Sequence, residues 1–455
     1  MTRCSIVPPH VLAALARSAE AEPALVAART LAIDASLRHS GRPVRTRPSA
    51  IPAAPSPEQG PLRTIHDAGG SEELPGAVVR SEGEPATEDL AADEAYDGLG
   101  LTWELWAREY GRDSLDGAGM PLVATVHYAQ RYDNAFWDGA QMVFGDGDGE
   151  IFTRFTASLD VIGHELAHGV TEHTAALVYR GQSGALNEHV SDVFGVLVKQ
   201  RHLGQSAEEA DWLIGAELLT ASVQGQALRS MAAPGTAYDD PRMGADPQPA
   251  HMDAYVRTSE DNGGVHINSG IPNKAFHLAA TAIGGPAWQA PGLIWRDVLT
   301  GEIAPDCDFA TFAALTVAAA RARFGDGSTQ AEAVAGAWQQ VGVIAAEGGT
   351  PLVDETEGTE AGGALVRLTR SGGVAGLTRS RELSLGELPE PDALAFRSLI
   401  EGPQLPRLAA EESSRPDALC YGLWCERPEL DVQLAESVLP QATRSLFERT
   451  LRREV

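Results

Sequence analysis

The sequence predicts an α+β chain of several domains, on three observations. Residues 61–157 alternate apolar and polar positions in short runs broken by turn signals, as strands do. From 158 to 345 the apolar period lengthens to that of helices. An acidic, glycine-rich stretch at 346–363 then reads as a flexible linker, and alternation resumes over 364–455 as a small separate α+β domain. Ahead of these, residues 1–60 hold two helical patterns and a Pro-, Ser-, Ala- and Arg-rich run that reads as exposed and cleavable.

The leader opens Cys4-Ser-Ile-Val-Pro8-Pro9-His10, and its second helix has Pro23 in the first turn and Leu25, Val26, Leu31, Ile33 and Leu37 behind it. A compact leader followed by a cleavable linker looks like a prosegment; a small docking module is the alternative. In the strand-like region, turns fall at Pro75-Gly76, Asp116-Gly117 and Gly145–Gly149. The last has Asp-x-Asp spacing but lacks the remaining positions of a calcium loop, so a tight turn is expected. The apolar and aromatic segment Val126–Trp137 reads as a sheet edge that could pair with an extended peptide. A polar Gly/Pro-rich loop spans roughly 232–265. Beyond the linker come strands near Leu365 and Arg381 around a Gly372-Gly373 turn, a helix at 391–401 and a terminal helix at 440–453.

Composition excludes several classes. No apolar run reaches the length of a membrane span, although 43% of the 455 residues are apolar. The N-terminus lacks the order of a secretory signal, so synthesis is expected in the cytoplasm, with any release by another route. Cys4, Cys307, Cys420 and Cys425 are too few and scattered for a disulfide scaffold; the last two fall on opposite faces of one strand. Residues 1–60 hold seven arginines against four acids, whereas 61–363 hold 16 basic against 45 acidic groups. So acidic a body repels nucleic acid and anionic lipid. It would attract a basic leader, although ordinary solubilising charge explains the same counts.

Chemistry concentrates in Ser158–Thr171. His164 and His168 are four residues apart, about 40° and about 6 Å along a helix, so both imidazoles can reach one metal ion while Glu165 is placed for a metal-bound water. A catalytic zinc needs a third protein ligand. Glu188, in Gly184-Ala-Leu-Asn187-Glu188, can supply it from a second helix entered at Gly184. Asp192, one turn on, can accept the other ring N–H of His164. Further on, Asp261-Asn-Gly-Gly-Val-His266 places a loop histidine five residues after an acid, suited to stabilise an oxyanion.

These motifs together resemble the thermolysin-like (M4) zinc metallopeptidases, and the leader with Asn134–Gly149 is similar to the protealysin branch. The resemblance implies a β-rich lobe and a helical lobe with the zinc helix between them. It implies His164, His168 and Glu188 as ligands of one zinc ion, with Asp192 and Asn187 behind them and Glu165 as general base. Tyr179 and His266 would stabilise the oxyanion, with Asp261 orienting His266. Asn134, Ala135 and Arg229 would hold the peptide. Phe152, Phe155, Val161, Ile214, Leu218 and Leu228 would line a pocket for a bulky apolar residue after the scissile bond. The family's calcium cluster is depleted: Asp160 and Asp211 remain, but Lys199, Leu213 and Ala216 stand at other positions, and the Lys199 ammonium could replace the ion. Cys4 is a candidate thiolate cap for the zinc, against the alternative that it plays no part.

The stretch Arg367–Arg379 and the pattern beyond it resemble emfourin, a small protein inhibitor of protealysin. The implied molecule is a zinc endopeptidase made as a latent precursor, acting on peptides or proteins and restrained by its prosegment and an inhibitor-like domain. A linker of root-mean-square span roughly 20–25 Å gives millimolar-order effective concentration. The alternative is a regulatory binding protein whose tethered domain silences the peptidase or targets other proteases.

Overall fold

The computed structural model describes residues 5–39, 60–344, 365–371, 379–384, 396, 400, 419–425, 430–435, 439 and 441–452. The chain divides into two compact units, Met1–Pro351 and Leu352–Val455.

In the first unit, helices α1 (Pro9–Ala16) and α2 (Ala21–His39) pack on each other. Pro9 begins α1, where its missing N–H costs nothing. A five-stranded sheet follows, built from β1 (Arg63–Asp67), β2 (Ala77–Ser81), β3 (Leu122–Val126), β4 (Ala135–Trp137) and β5 (Met142–Phe144), in the order β2-β1-β3-β5-β4. The β1–β3 and β3–β5 pairs are parallel, and β4 closes one edge antiparallel to β5.

The strand-like reading of 61–157 missed α3 (Leu90–Glu104), which packs on β1 and β3. Asp89 caps it by accepting from the backbone N–H groups of Ala91 and Ala92. Its buried face includes Ala91, Ala92, Ala95, Tyr96, Leu99 and Trp103, a helical spacing that short alternating runs on either side had obscured.

Two long helices, α4 (Leu159–Glu172) and α5 (Gly181–Leu203), form the centre of the helical lobe. They cross at glycine: a Cβ on Gly195 would lie 2.4 Å from the Asp160 carbonyl oxygen. Nothing larger allows the two backbones this close. Around them stand α6 (Asp261–Asn268), α7 (Gly270–Ile283), α8 (Ala290–Thr300), α9 (Phe309–Phe324) and α10 (Thr329–Gln340).

The second unit is a four-stranded antiparallel sheet. It comprises β10 (Leu365–Ser371), β11 (Arg379–Ser384), β12 (Cys420–Cys425) and β13 (Leu430–Ala435), numbered after four two-residue strands (β6–β9) at 213–245. The order is β11-β10-β12-β13. A helix, Gln441–Arg452, closes its core with Leu446 and Phe447 against Val366, Leu368, Tyr421 and Leu423. Cys420 and Cys425 sit at opposite ends of β12. Of the expected 391–401 helix, Phe396 and Ile400 are helical and buried; the remainder, the 346–363 linker and the Gly372-Gly373 turn lie outside the described residues. No described helix is long and apolar enough to cross a membrane.

Candidate metal centre and peptide cleft

His164 and His168 project from α4 toward Glu188 on α5. The two histidine Nε2 atoms are 3.1 Å apart, and they lie 3.6 and 3.5 Å from the Glu188 carboxylate. What stands behind the rings fixes their tautomers. His164 Nδ1 is 2.8 Å from Asp192, which as a carboxylate only accepts. His168 Nδ1 is 2.8 Å from Asn187 Oδ1, and the Asn187 amide is oriented by its N–H donating to the Leu177 carbonyl. Both Nδ1 atoms therefore carry the proton, and two Nε2 lone pairs face each other. That arrangement is repulsive unless a cation lies between them. Ligand bonds of about 2.0–2.1 Å in a tetrahedron set neighbouring ligand atoms about 3.3–3.4 Å apart, so the donor set fits zinc. Burial holds His168 down at about 4 despite the Glu188 charge, keeping it an uncharged donor. Burial opposes ionisation of Glu188 too, but the charged His266, with Arg229 behind it, helps hold the carboxylate at about 2.

Glu165 is fully buried beside this cluster. Its Oε2 accepts from the Trp137 backbone N–H at 3.0 Å, and its Oε1 has no hydrogen-bond partner. Burial, with the Glu188 charge, pushes it well above the usual carboxylate range, which suits a group that must take up a proton. Tyr179 donates its hydroxyl to Glu188 at 2.5 Å and lies 3.2 Å from His266 Nε2. Asp261 grips His266 twice, at Nδ1 (2.6 Å) and at the backbone N–H (2.9 Å). Burial opposes the His266 charge, but Asp261 and Glu188 outweigh it and lift the imidazole to about 9.

Two local expectations change. His266 is not in the loop but on the helical turn after a left-handed run, Asp261–Gly264. Gly184 does not turn the chain; it lies inside α5, where a Cβ would meet Val265 at 2.5 Å and the Tyr179 backbone at 2.9 Å. Its role is to let Tyr179 and the His266 segment reach Glu188.

Residues of the leader fill the adjoining cleft. The Ile6 N–H donates to the Ala135 carbonyl (3.1 Å) and its carbonyl accepts from Arg229 (3.2 Å). The Val7 N–H donates to Asn134 Oδ1 (2.9 Å), and its carbonyl accepts from Asn134 Nδ2 (3.4 Å). Arg229 also clasps Asp192, so one guanidinium joins the peptide to the support behind His164. Phe152, Phe155, Val161, Ile214, Leu218 and Leu228 are all buried in the apolar cluster that contains Ile6.

Sequence reasoning missed how α2 reinforces this. Asp34 accepts from Tyr132 (2.5 Å) and Asn134 (3.1 Å), and Thr30 accepts from the Asp133 N–H. A lone acid between the apolar positions Ile33 and Leu37 was the available signal. Charge attraction is not one-sided either: Arg29 pairs with Glu72, but Glu22 pairs with Arg131 and Glu20 with Arg242. Cys4 lies outside the described residues.

Residues 62–172 match the model of the thermolysin metallopeptidase catalytic domain, and 175–343 match its alpha-helical domain. An extracellular metalloprotease of Pectobacterium carotovorum is 52% identical over 341 residues, 75% of this chain and 96% of that protein. The chain belongs to the thermolysin metallopeptidase family. It is thus a metalloendopeptidase, of a family that depends on zinc. A structure of the precursor of protealysin from Serratia proteamaculans is 51% identical with a TM-score of 0.67, covering 75% of this chain and 99% of that one. A thermolysin of Alicyclobacillus acidocaldarius is 39% identical over 265 residues, 57% of this chain and 46% of that one. Residues 368–451 match the emfourin model, so a thermolysin-family peptidase is fused here to an emfourin domain.

Where the resemblance implies a calcium cluster, an ammonium stands among the acids. Lys199 of α5 places its Nζ 3.1 Å from Asp160, 3.1 Å from Asp211 and 3.8 Å from Glu217. Burial disfavours the ammonium, but Asp160, Glu217 and Asp211 outweigh it and raise its pKa. Leu213 and Ala216 offer no side-chain oxygen.

Proposed function

We propose that the chain is a zinc endopeptidase made as a latent precursor, in which His164, His168 and Glu188 hold the ion. A zinc ion there would supply a Lewis acid and lower the pKa of water at its open position toward 7. The protein does the rest. Glu165 takes the proton of the attacking water as the oxygen bonds to the peptide carbon, and passes it to the amine nitrogen as the C–N bond breaks. His266, kept charged by Asp261, and Tyr179 donate toward the oxygen that gains negative charge. Asn134, Ala135 and Arg229 hold the peptide backbone, and Asp192 and Asn187 hold the ligand histidines. Ile6, gripped by Ala135 and Arg229, stands for the residue after the scissile bond, which supports a preference for a bulky apolar side chain there.

One observation carries the reading: a peptide segment of the chain itself is held by the cleft beside two facing imidazole lone pairs and a buried carboxylate. Latency follows, because substrate needs the hydrogen bonds that Ile6 and Val7 occupy; cutting within about 40–60 would free the leader. The emfourin match supports a second restraint by the C-terminal domain, in cis or on other proteases. Lys199 supports independence from calcium, and the extracellular relatives support release from the cell.

Casein cleavage by wild type, Glu165→Ala and a chain ending at Gly349 tests this. Wild type processed of its leader should cleave, Glu165→Ala should not, and the shortened chain should be at least as active as the full one. A zinc-loaded, processed, shortened chain as inactive as Glu165→Ala would refute the peptidase reading. Equal activity of the full and shortened chains would rule out restraint in cis and leave only action on other proteases.

A further inference from the structure

α5 carries a histidine that this mechanism does not use. His189 follows Glu188 directly, but a helix turns successive side chains by about 100°, and this one points away from the metal centre into the core. It is fully buried, with the Phe312 ring of α9 at 5.9 Å and the Trp295 ring of α8 at 6.3 Å. Trp295 Nε1–H donates to His189 Nε2 at 2.8 Å, and His189 Nδ1 is 2.8 Å from Asn273 Oδ1 on α7. Asn273 Nδ2 in turn donates to Asp192 Oδ2 at 2.8 Å, and Asp192 Oδ1 holds His164 Nδ1.

The ends of this chain of bonds dictate every proton within it. An indole N–H can only donate, so His189 Nε2 must offer a lone pair. An imidazole whose Nε2 accepts is the neutral form and bears its proton on Nδ1. Nδ1–H donates, so Asn273 must turn its oxygen to the ring and its NH2 to Asp192. The reversed amide would set an oxygen against a buried carboxylate, replacing attraction with repulsion between two acceptors.

We infer that His189 and Trp295 are positioning residues for the metal centre, locking the Asn273 amide so that it and Arg229 together orient the Asp192 carboxylate behind His164. This rests on the reading of His164, His168 and Glu188 as a zinc site. The competing account is that His189 only fills the aromatic core. Removing a direct support of a ligand histidine typically costs 10–100-fold in metal affinity, and Asp192 keeps Arg229 here, so the lower end applies.

Zinc affinity of the full chain, measured by competition with a chromogenic chelator, separates the two accounts. Wild type, His189→Leu, His189→Asn and Trp295→Phe are compared, with melting of the zinc-free proteins reporting packing. His189→Leu keeps bulk but loses both polar groups, and should bind zinc about tenfold more weakly. His189→Asn opens a larger void yet keeps an N–H near the Nδ1 position. It should melt lower than His189→Leu but bind zinc within about twofold of wild type. Trp295→Phe releases the tautomer and should weaken binding about threefold. If the leucine and asparagine variants hold zinc equally, or affinity merely tracks melting temperature, His189 is packing and the inference is wrong. Wild type that takes up no zinc, like His164→Ala, would instead sink the zinc reading itself.

Discussion

The same two helices build two buried polar clusters, and they solve the problem of buried charge in opposite ways. At one, His164, His168 and Glu188 converge with two imidazole lone pairs 3.1 Å apart, leaving room for a cation from outside. About one turn earlier on α4, Asp160 is matched by the ammonium of Lys199 from α5, with Asp211 and Glu217 beside it. A buried carboxylate without compensation costs several kcal/mol, so each cluster requires a positive charge. On the proposed reading the first borrows an ion that can do chemistry; the second carries its own charge, which can only hold the fold together.

The largest effect should come from the group that works beside the borrowed ion. Glu165→Gln keeps the size of the side chain and its contact with Trp137 but cannot take up the water's proton and pass it on. Activity on casein should fall by about 10⁴, the top of the range for acid–base catalysis, with zinc content unchanged. Loss of zinc along with activity would show that Glu165 acts as a support rather than as a base.

Metal removal should separate the clusters next. A zinc-selective chelator should abolish activity, zinc should restore it, and calcium should not. Melting temperature should be insensitive to calcium throughout, because Lys199 already neutralises Asp160. Lys199→Met should leave zinc affinity unchanged and cost about 3 kcal/mol in urea unfolding, the low end for breaking a buried pair, since Asp211 and Glu217 face water. A calcium-dependent wild type would break the distinction between the clusters.

The difference between the clusters also governs what the sequence could reveal. The proposed metal-binding trio was legible as a candidate because helical geometry ties His164 to His168, and Glu188 and Asp192 stand one turn apart on the next helix. Lys199 was legible only as a departure, a cation where an acid was expected. Contacts between distant segments were not legible. Nothing local to Asp34 points to Asn134, 100 residues away, and nothing local to His189 points to Trp295, 106 residues away. The helix α3 was hidden for a different reason: its buried face is largely alanine and glycine, which give a weak hydrophobic period. Gly184 reads as a turn in the sequence because close packing against Val265 and Tyr179 leaves no mark there except the missing side chain.

A buried polar group can also do without any cation, by giving up its own charge, and His10 in the leader tests that third case. It is mostly buried, with Nε2 3.3 Å from the Tyr238 hydroxyl and Nδ1 without a hydrogen-bond partner. Burial lowers it to about 4 from 6.5; Asp261 opposes the shift, while His266 and Arg229 add to it. The undocked leader therefore binds more protons than the docked one between those two values. Docking is insensitive to pH above about 6.5 and weakens as pH falls toward 4, by about 2 kcal/mol at pH 5. In the inactive Glu165→Gln, with its leader still attached, amide exchange at Ile6 and Val7 should lose up to about 30-fold of its protection between pH 7.5 and pH 5, after correction for intrinsic rates. The added change His10→Phe, which fills the site without a titrating group, should flatten that dependence. Equal pH dependence with and without the histidine would place the sensitivity elsewhere in the leader, and would mean that His10 finds a counter-charge when protonated, as Lys199 does.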